Sequence, residues 1–215
     1  MKNYEELGWQ FRKEKQFEKA IEAFDKGIKL DQKVYFAKHG KGECLIELGR
    51  YDEAIDCFKE AVKIDSNHNW AYYGLGKAFF FKQNYETAKE FFDKSIRRNN
   101  QSVSALLWKG KTLIKLHKYD EALDSFHTSL RYAAKYRYDM LEEIETEINN
   151  ITEYKDKLEK ENELLKTENQ KLKEELQKKG VVIINGDFVE KGTIIKDDAV
   201  VNRSNLNLNK EERYD

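Results

Sequence analysis

Four stretches decide the fold: FEKAIEAFDKGIKL at 17–30, YDEAIDCFKEAVKI at 51–64, YETAKEFFDKSIRR at 85–98 and YDEALDSFHTSLRY at 119–132. Each begins 34 residues after the one before. They align an aromatic column (Phe17, Tyr51, Tyr85, Tyr119), an alanine column (Ala20, Ala54, Ala88, Ala122) and a phenylalanine column (Phe24, Phe58, Phe92, Phe126). Outward from them, Gly8, Gly42, Gly76 and Gly110 keep the same spacing. A fixed period of this length means stacked supersecondary units.

Each unit reads as two helices. In the second, Val34 to Leu48 forms the first helix, residues 49–51 the turn, and Asp52 to Ile64 the second helix. An acid opens every second helix (Glu18, Asp52, Glu86, Asp120), where a carboxylate can accept from free backbone amides and suits the helix dipole. Glycine inside a helix costs about 1 kcal/mol relative to alanine. Four in register predict close approach of the two helices in each pair. The phenylalanines then fill the space between one pair and the next. A further small column (Gly27, Ala61, Ser95, Ser129) beside Ile28, Val62, Ile96 and Leu130 repeats the pattern.

Composition narrows the class. The 215 residues carry 39 lysines and arginines against 40 acids, a net charge of −1. No global charge favours nucleic acid or an anionic membrane. The mean hydropathy of −0.86 fits helices with one buried and one charged face. There is no proline, which suits uninterrupted helices. MKNYEELGWQF has no apolar run, no signal peptide is expected, and no stretch approaches the ~20 apolar residues of a membrane span. Cys44 and Cys57 read as small buried hydrophobes. The expectation is a cytoplasmic protein with no membrane or nucleic-acid partner.

The runs YEELGWQF…FEKAIEAFDKGIKL and YYGLGKAFF…YETAKEFFDKSI resemble the tetratricopeptide repeat (TPR) family, over residues 1 to about 136. Family repeats usually end near a proline; Gln32, Ser66, Asn100 and Ala134 stand in those places here. The resemblance implies a mainly α fold, a TPR-like α-α superhelix of four helix-turn-helix repeats. It also implies a concave groove, lined by the first helices, that holds peptides or partner helices. Spacing places there Trp9, Arg12, Phe36, His39, Glu43, Trp70, Tyr73, Lys77, Phe80, Leu107, Lys111 and Ile114, with Gly40 and Gly74 leaving room beside them. Several of these aromatics could instead belong to the core between helices. One subgroup of the family clamps acidic chaperone tails with lysine, arginine and asparagine. The matching places here hold Glu5, Trp9, Gly40, Trp70 and Gly74, and the clamp is absent. A more apolar ligand, with an acid to meet Lys77 and Lys111, fits better.

ALLWKGKT at 105–112 satisfies a loose phosphate-loop pattern. That chemistry needs a glycine-rich loop between strand and helix, whereas here Gly110 is the fourth glycine of the repeat column. His39, His68, His117 and His127 show no metal-ligand spacing. No cofactor, metal or catalytic site is expected, and the chain reads as non-enzymatic.

Residues 139–179 carry a seven-residue pattern, with Asp139 as the predicted helix cap. The a positions are Leu141, Ile148, Lys155, Asn162, Asn169 and Leu176; the d positions are Ile144, Ile151, Leu158, Leu165, Leu172 and Lys179. Leucines at d with asparagines at a predict a parallel two-stranded coiled coil. Ile151, Leu158, Asn162, Leu165, Asn169, Leu172 and Leu176 would form the homodimer seam, and Glu161–Lys166 and Glu168–Lys173 pairs would flank it. Residues 139 to about 152 could also cap the repeat stack, a job that end repeats require. Arg131, Lys135 and Arg137 are too few for the basic helix of a DNA-binding zipper.

From Val181 the composition turns β-branched, with a short β-rich tail expected over 181–206. A six-residue period over 183–206 suggests strands that associate between chains, as in parallel β-helices; a plain hairpin or meander is the alternative. Asn207 to Asp215 is polar, and disorder is expected. The leading functional expectation is an interaction scaffold made bivalent by the coiled coil. The alternatives are a self-assembling architectural protein and, remotely, a nucleotide-binding one.

Overall fold

The computed structural model describes residues 3–31 and 34–178 and, as backbone, 181–184 and 187–190. Eight helices alternate through the repeats: α1 Tyr4–Lys13, α2 Phe17–Lys29, α3 Val34–Glu47, α4 Tyr51–Ile64, α5 Asn69–Phe81, α6 Tyr85–Arg98, α7 Val103–Lys115 and α8 Tyr119–Tyr136. A 3₁₀ turn at Tyr138–Met140 leads into α9, Leu141–Lys178. β1 Val181–Ile184 and β2 Asp187–Glu190 follow. The described residues up to 153 form one compact unit and those from 154 onward a second.

The four phenylalanines are fully buried, and so are the four alanines of the neighbouring column. The glycines have a reason that differs from simple backbone approach. A Cβ on Gly42 would stand 2.7 Å from the Phe58 ring, one on Gly76 2.6 Å from Phe92, and one on Gly110 2.5 Å from Phe126. Gly40 and Gly74 do the same from the next repeat, against Phe24 and Phe58. They do not open room in a groove; they seat a ring. Phe24 lies between Gly8 and Gly40, and Phe58 between Gly42 and Gly74. Each ring thereby ties one repeat to the next. The small column is polar in the later repeats, where Ser95 Oγ donates to the Asn69 carbonyl and Ser129 Oγ to the Val103 carbonyl, each at 3.0 Å. These bonds tie the end of a second helix to the start of its own first helix.

The second helices start one residue before the acids, at Phe17, Tyr51, Tyr85 and Tyr119. The acids lie in the first turn, favourable to the helix dipole but not capping it. In α6 the Asn84 side chain caps instead, accepting from the Thr87 amide. The turns inside the repeats carry a column invisible in composition. Lys15, Gly49, Gln83 and His117 all have positive φ, between 57° and 73°. From the residue after each, a backbone amide reaches the carbonyl five positions back (Gln16→Phe11, Arg50→Leu45, Asn84→Phe79, Lys118→Leu113). This is the Schellman closure that usually takes glycine at the left-handed position. Only the second repeat has one.

The start of α9 closes the stack. Ile144 and Ile151 are buried in one cluster with Leu107, Leu113, Phe126 and Ala133, and Met140, Leu141 and Ile148 pack against it. Ile151 therefore belongs to the repeat core, not to a dimer seam, which corrects the heptad assignment at that position. Asp139 is not a helix cap: its carboxylate takes Arg137 at 2.8 and 2.9 Å. In the second unit, β1 and β2 pair antiparallel, from Val181 opposite Glu190 to Ile184 opposite Asp187. That is the hairpin alternative over 181–190; the rest of the six-residue pattern and the 207–215 segment lie outside the described residues.

The seating of the rings predicts a measurable asymmetry. Gly74→Ala should gain the ~1 kcal/mol helix preference yet lose more to overpacking, typically about 1–3 kcal/mol, because Gly42 blocks the retreat of Phe58. Thermal unfolding followed by circular dichroism should show a lower Tm for Gly74→Ala. Adding Phe58→Leu should recover part of it.

Candidate peptide-binding groove

The inner face of the stack follows from which helices touch. Successive first helices (α1 with α3, α3 with α5, α5 with α7) contact one another directly, whereas the second helices meet mainly the first helices on either side of them. The first helices therefore line the tighter, concave side. Side chains one turn apart on α1, α3 and α5 share that side.

Its centre is Glu43, 5% exposed. Arg12 Nη2 and Lys77 Nζ both reach the same oxygen, Glu43 Oε2, at 3.2 Å. Lys77 is itself buried and lies 5.7 Å from the ring centres of Tyr73 and Trp108. His39, one turn before Glu43, sits between Trp9 and Trp70, with ring centres 6.0 and 6.2 Å away. Trp9 packs edge-on against Phe24 and donates from Nε1 to Glu5 Oε1 at 2.8 Å. Trp70 meets Tyr73 edge-on at 5.8 Å and remains 40% exposed. Seven of the residues placed in the groove by spacing (Trp9, Arg12, His39, Glu43, Trp70, Tyr73 and Lys77) thus converge on one recess.

Burial sets the chemistry here. It would raise the Glu43 carboxyl, but the charges of Lys77 and Arg12 outweigh it and hold the pKa below the ordinary carboxylate range. Burial also drives His39 down from 6.5 to about 4, against the opposing pull of Glu43, so the imidazole is neutral at pH 7. That leaves Lys77 and Arg12 to compensate Glu43. Burial and the Glu43 charge together raise the Tyr73 hydroxyl. Cys44 is buried and free, its thiol pushed up to about 12 by burial, which makes it an inert small hydrophobe.

The remaining groove residues divide. Phe36 is 44% exposed beside Tyr35 and His68. Phe80 packs edge-on against Trp108 at 5.2 Å. Leu107 is fully buried in the terminal cluster, and Ile114 packs against that cluster; both are core. Lys111 is held by Glu143 at 2.7 Å and Glu147 at 3.2 Å, both on α9. Burial would lower its pKa, but these two carboxylates prevail and raise it. Lys77 and Lys111, expected to meet an acidic ligand, are therefore both matched within the chain.

Trp108 went unrecognised in the sequence. It sits within ALLWKGKT, 34 residues after Gly74 and 68 after Gly40, so a large ring replaces a seat for one. That break in the column was the available signal. ALLWKGKT itself lies inside α7, not in a loop. Among the described residues, no group of three or more His, Cys, Asp and Glu is placed to hold a metal ion, and no helix is long and apolar enough to cross a membrane.

An all-helical stack of two-helix repeats whose first helices line the inner side defines an α-solenoid. Residues 42–83 match the TPR repeat family, and residues 2–34 and 71–102 match the tetratricopeptide repeat family. These matches place tetratricopeptide repeats over residues 2–34 and 42–102 of the chain. Similar solved structures include a thermophilic TPR protein of Thermus thermophilus (TM-score 0.61, 19% identity, covering 69% of this chain and 79% of that one). MamA from Desulfovibrio magneticus RS-1, residue 41 to its end, gives a TM-score of 0.55 at 20% identity, over 62% of this chain and 75% of that one. The first TPR of Spaghetti (RPAP3), bound to the HSP90 peptide SRMEEVD, gives 0.51 at 21% identity, over 56% and 91%. Identities this low speak for the fold alone. No curated protein matches the sequence.

The depressed pKa of His39 has a definite sign. The folded state resists a proton that the unfolded chain accepts near pH 6.5, so its full contribution is present above that pH and is lost as pH falls toward 4. At 1.36 kcal/mol per pKa unit, the loss approaches about 3 kcal/mol. Urea unfolding at pH 7 and pH 4.5 should show a drop in stability that is markedly smaller in His39→Gln.

Proposed function

We propose that this chain is a non-enzymatic scaffold that holds a peptide or partner helix against the inner face of its repeats. The observation that carries this reading is the recess around Glu43. It gathers Trp9, Trp70, Tyr73 and Arg12, the residue types that dominate binding energy at protein interfaces. Partial exposure of Trp70 and Phe36 beside it supplies apolar area at the surface. The tetratricopeptide fold supports a protein-interaction role. The peptide-bound neighbour suggests the mode of binding, not the ligand: Gly40 and Gly74 seat phenylalanine rings here, and Glu5 and Trp9 pair with each other.

The scaffold is bivalent in this reading. Within 154–178, Leu158 is 36% exposed, and Leu165, Leu172 and Leu176 are only partly buried. A stripe at heptad spacing, with Asn162 and Asn169 between, favours a parallel pair. Two grooves on one dimer would bind a repeated target with avidity.

Sedimentation of the full chain, 25.5 kDa per copy, tests bivalency. The native sequence should run as a dimer and the Leu158→Glu, Leu165→Glu, Leu172→Glu variant as a monomer with unchanged helix melting. A native chain that is already monomeric removes the bivalent part. Trp70→Ala, with an unchanged Tm, should abolish capture of a groove partner and leave the mass untouched.

A further inference from the structure

Three polar atoms in the recess are buried without a hydrogen-bond partner: Glu43 Oε1, Arg12 Nε and His39 Nδ1. A buried polar atom left unpaired forfeits its hydration without replacement, and three in one neighbourhood invite a ligand group that would satisfy them. The reason lies in the geometry already described. Arg12 and Lys77 both direct their contact to Oε2 of Glu43, which leaves Oε1 to one side. His39 lies one turn earlier on the same face of α3, with Glu43, Arg12 and Lys77 as its charged neighbours.

The chemistry of the three atoms specifies the group that would satisfy them. Arg12 Nε–H is a donor, Glu43 Oε1 an acceptor, and the Nδ1 of a neutral imidazole protonated on Nε2 a second acceptor. A primary carboxamide offers one carbonyl and two N–H donors, which makes three bonds for three atoms. Charge points the same way. Arg12 and Lys77 are balanced by Glu43 and by Glu5, which is buried against Trp9. A carboxylate or an ammonium would enter with no counter-charge left over, at the cost of desolvation; a carboxamide brings none. Trp9 and Trp70 flank His39 and would cover the methylenes of the incoming side chain.

We propose that this recess reads a glutamine or asparagine side chain of a bound peptide, with the carbonyl on Arg12 and the amide N–H groups on Glu43 and His39. The proposal rests on the reading of the inner face as a peptide groove. Entry requires side-chain movement, and the covering groups suit it: Arg12 has a side chain 33% exposed, and Trp70 is 40% exposed.

The test uses the full chain and arrays of N-acetylated, C-amidated heptapeptides with apolar and small residues at the flanking positions. The central residue is glutamine, norleucine or glutamate. The expected result is at least tenfold tighter binding of the glutamine set than of either other set. Arg12→Lys keeps the charge beside Glu43 but removes the Nε donor, and should bring the glutamine and norleucine sets to parity. Glu43→Gln leaves two cations facing a neutral group and should move the preference toward glutamate. Helix melting confirms the fold of both variants. Equal binding of glutamine and norleucine peptides by the native chain overturns the carboxamide site while leaving the groove intact. Arg12→Lys with its glutamine preference undiminished overturns it as well. Binding of no peptide in any set overturns the groove reading, and this inference with it.

Discussion

The repeat domain depends on a ring held between two glycines. Phe24 and Phe58 are each pressed on one side by a glycine of their own repeat and on the other by a glycine of the next. Burying a phenylalanine is worth roughly 1.5–3 kcal/mol, and the contact here spans the boundary between repeats. That is the nearest-neighbour term on which a solenoid's stability rests, since each repeat touches only its neighbours. The glycines carry a propensity cost inside a helix, and the ring they admit offsets it. In the last repeats the device changes: Gly76 and Gly110 still seat Phe92 and Phe126, but Trp108 stands where a second seat would be.

Because the rings fix the spacing of the first helices, they also fix what faces inward. Glu43, Arg12 and Lys77 come from three successive repeats and meet at one oxygen. A buried ion pair of this kind is weak evidence for stability, because desolvation offsets much of the attraction. Its value is positional. It fixes two cations on one carboxylate while keeping Trp9, His39 and Trp70 beside them. His39 stays uncharged under ordinary conditions because burial outweighs the nearby carboxylate.

An open solenoid end exposes apolar surface, and α9 resolves this with its first turns. Ile144 and Ile151 complete the terminal cluster, while Glu143 and Glu147 neutralise Lys111. The same heptad continues beyond residue 153 as a part-exposed leucine stripe. The buried part of the pattern therefore ends where the repeat core ends.

The sequence by itself determined the period, the pairing of helices and the burial of the alanine and phenylalanine columns, because each follows from spacing that a 34-residue unit repeats in register. It also determined which face of each first helix turns inward, and so most of the recess. Only the tertiary structure decided what that face does with its charges. Lys77 and Lys111 read as free cations along the chain, but their partners, Glu43 and Glu143, lie 34 and 32 residues away, and only packing brings them together. Ile151 satisfies a heptad and a core equally well as a letter; the end of the stack decided for the core. The left-handed turns at Lys15, Gln83 and His117 likewise left no mark in residue type. Helix pairing imposed that conformation where local preference would have asked for glycine.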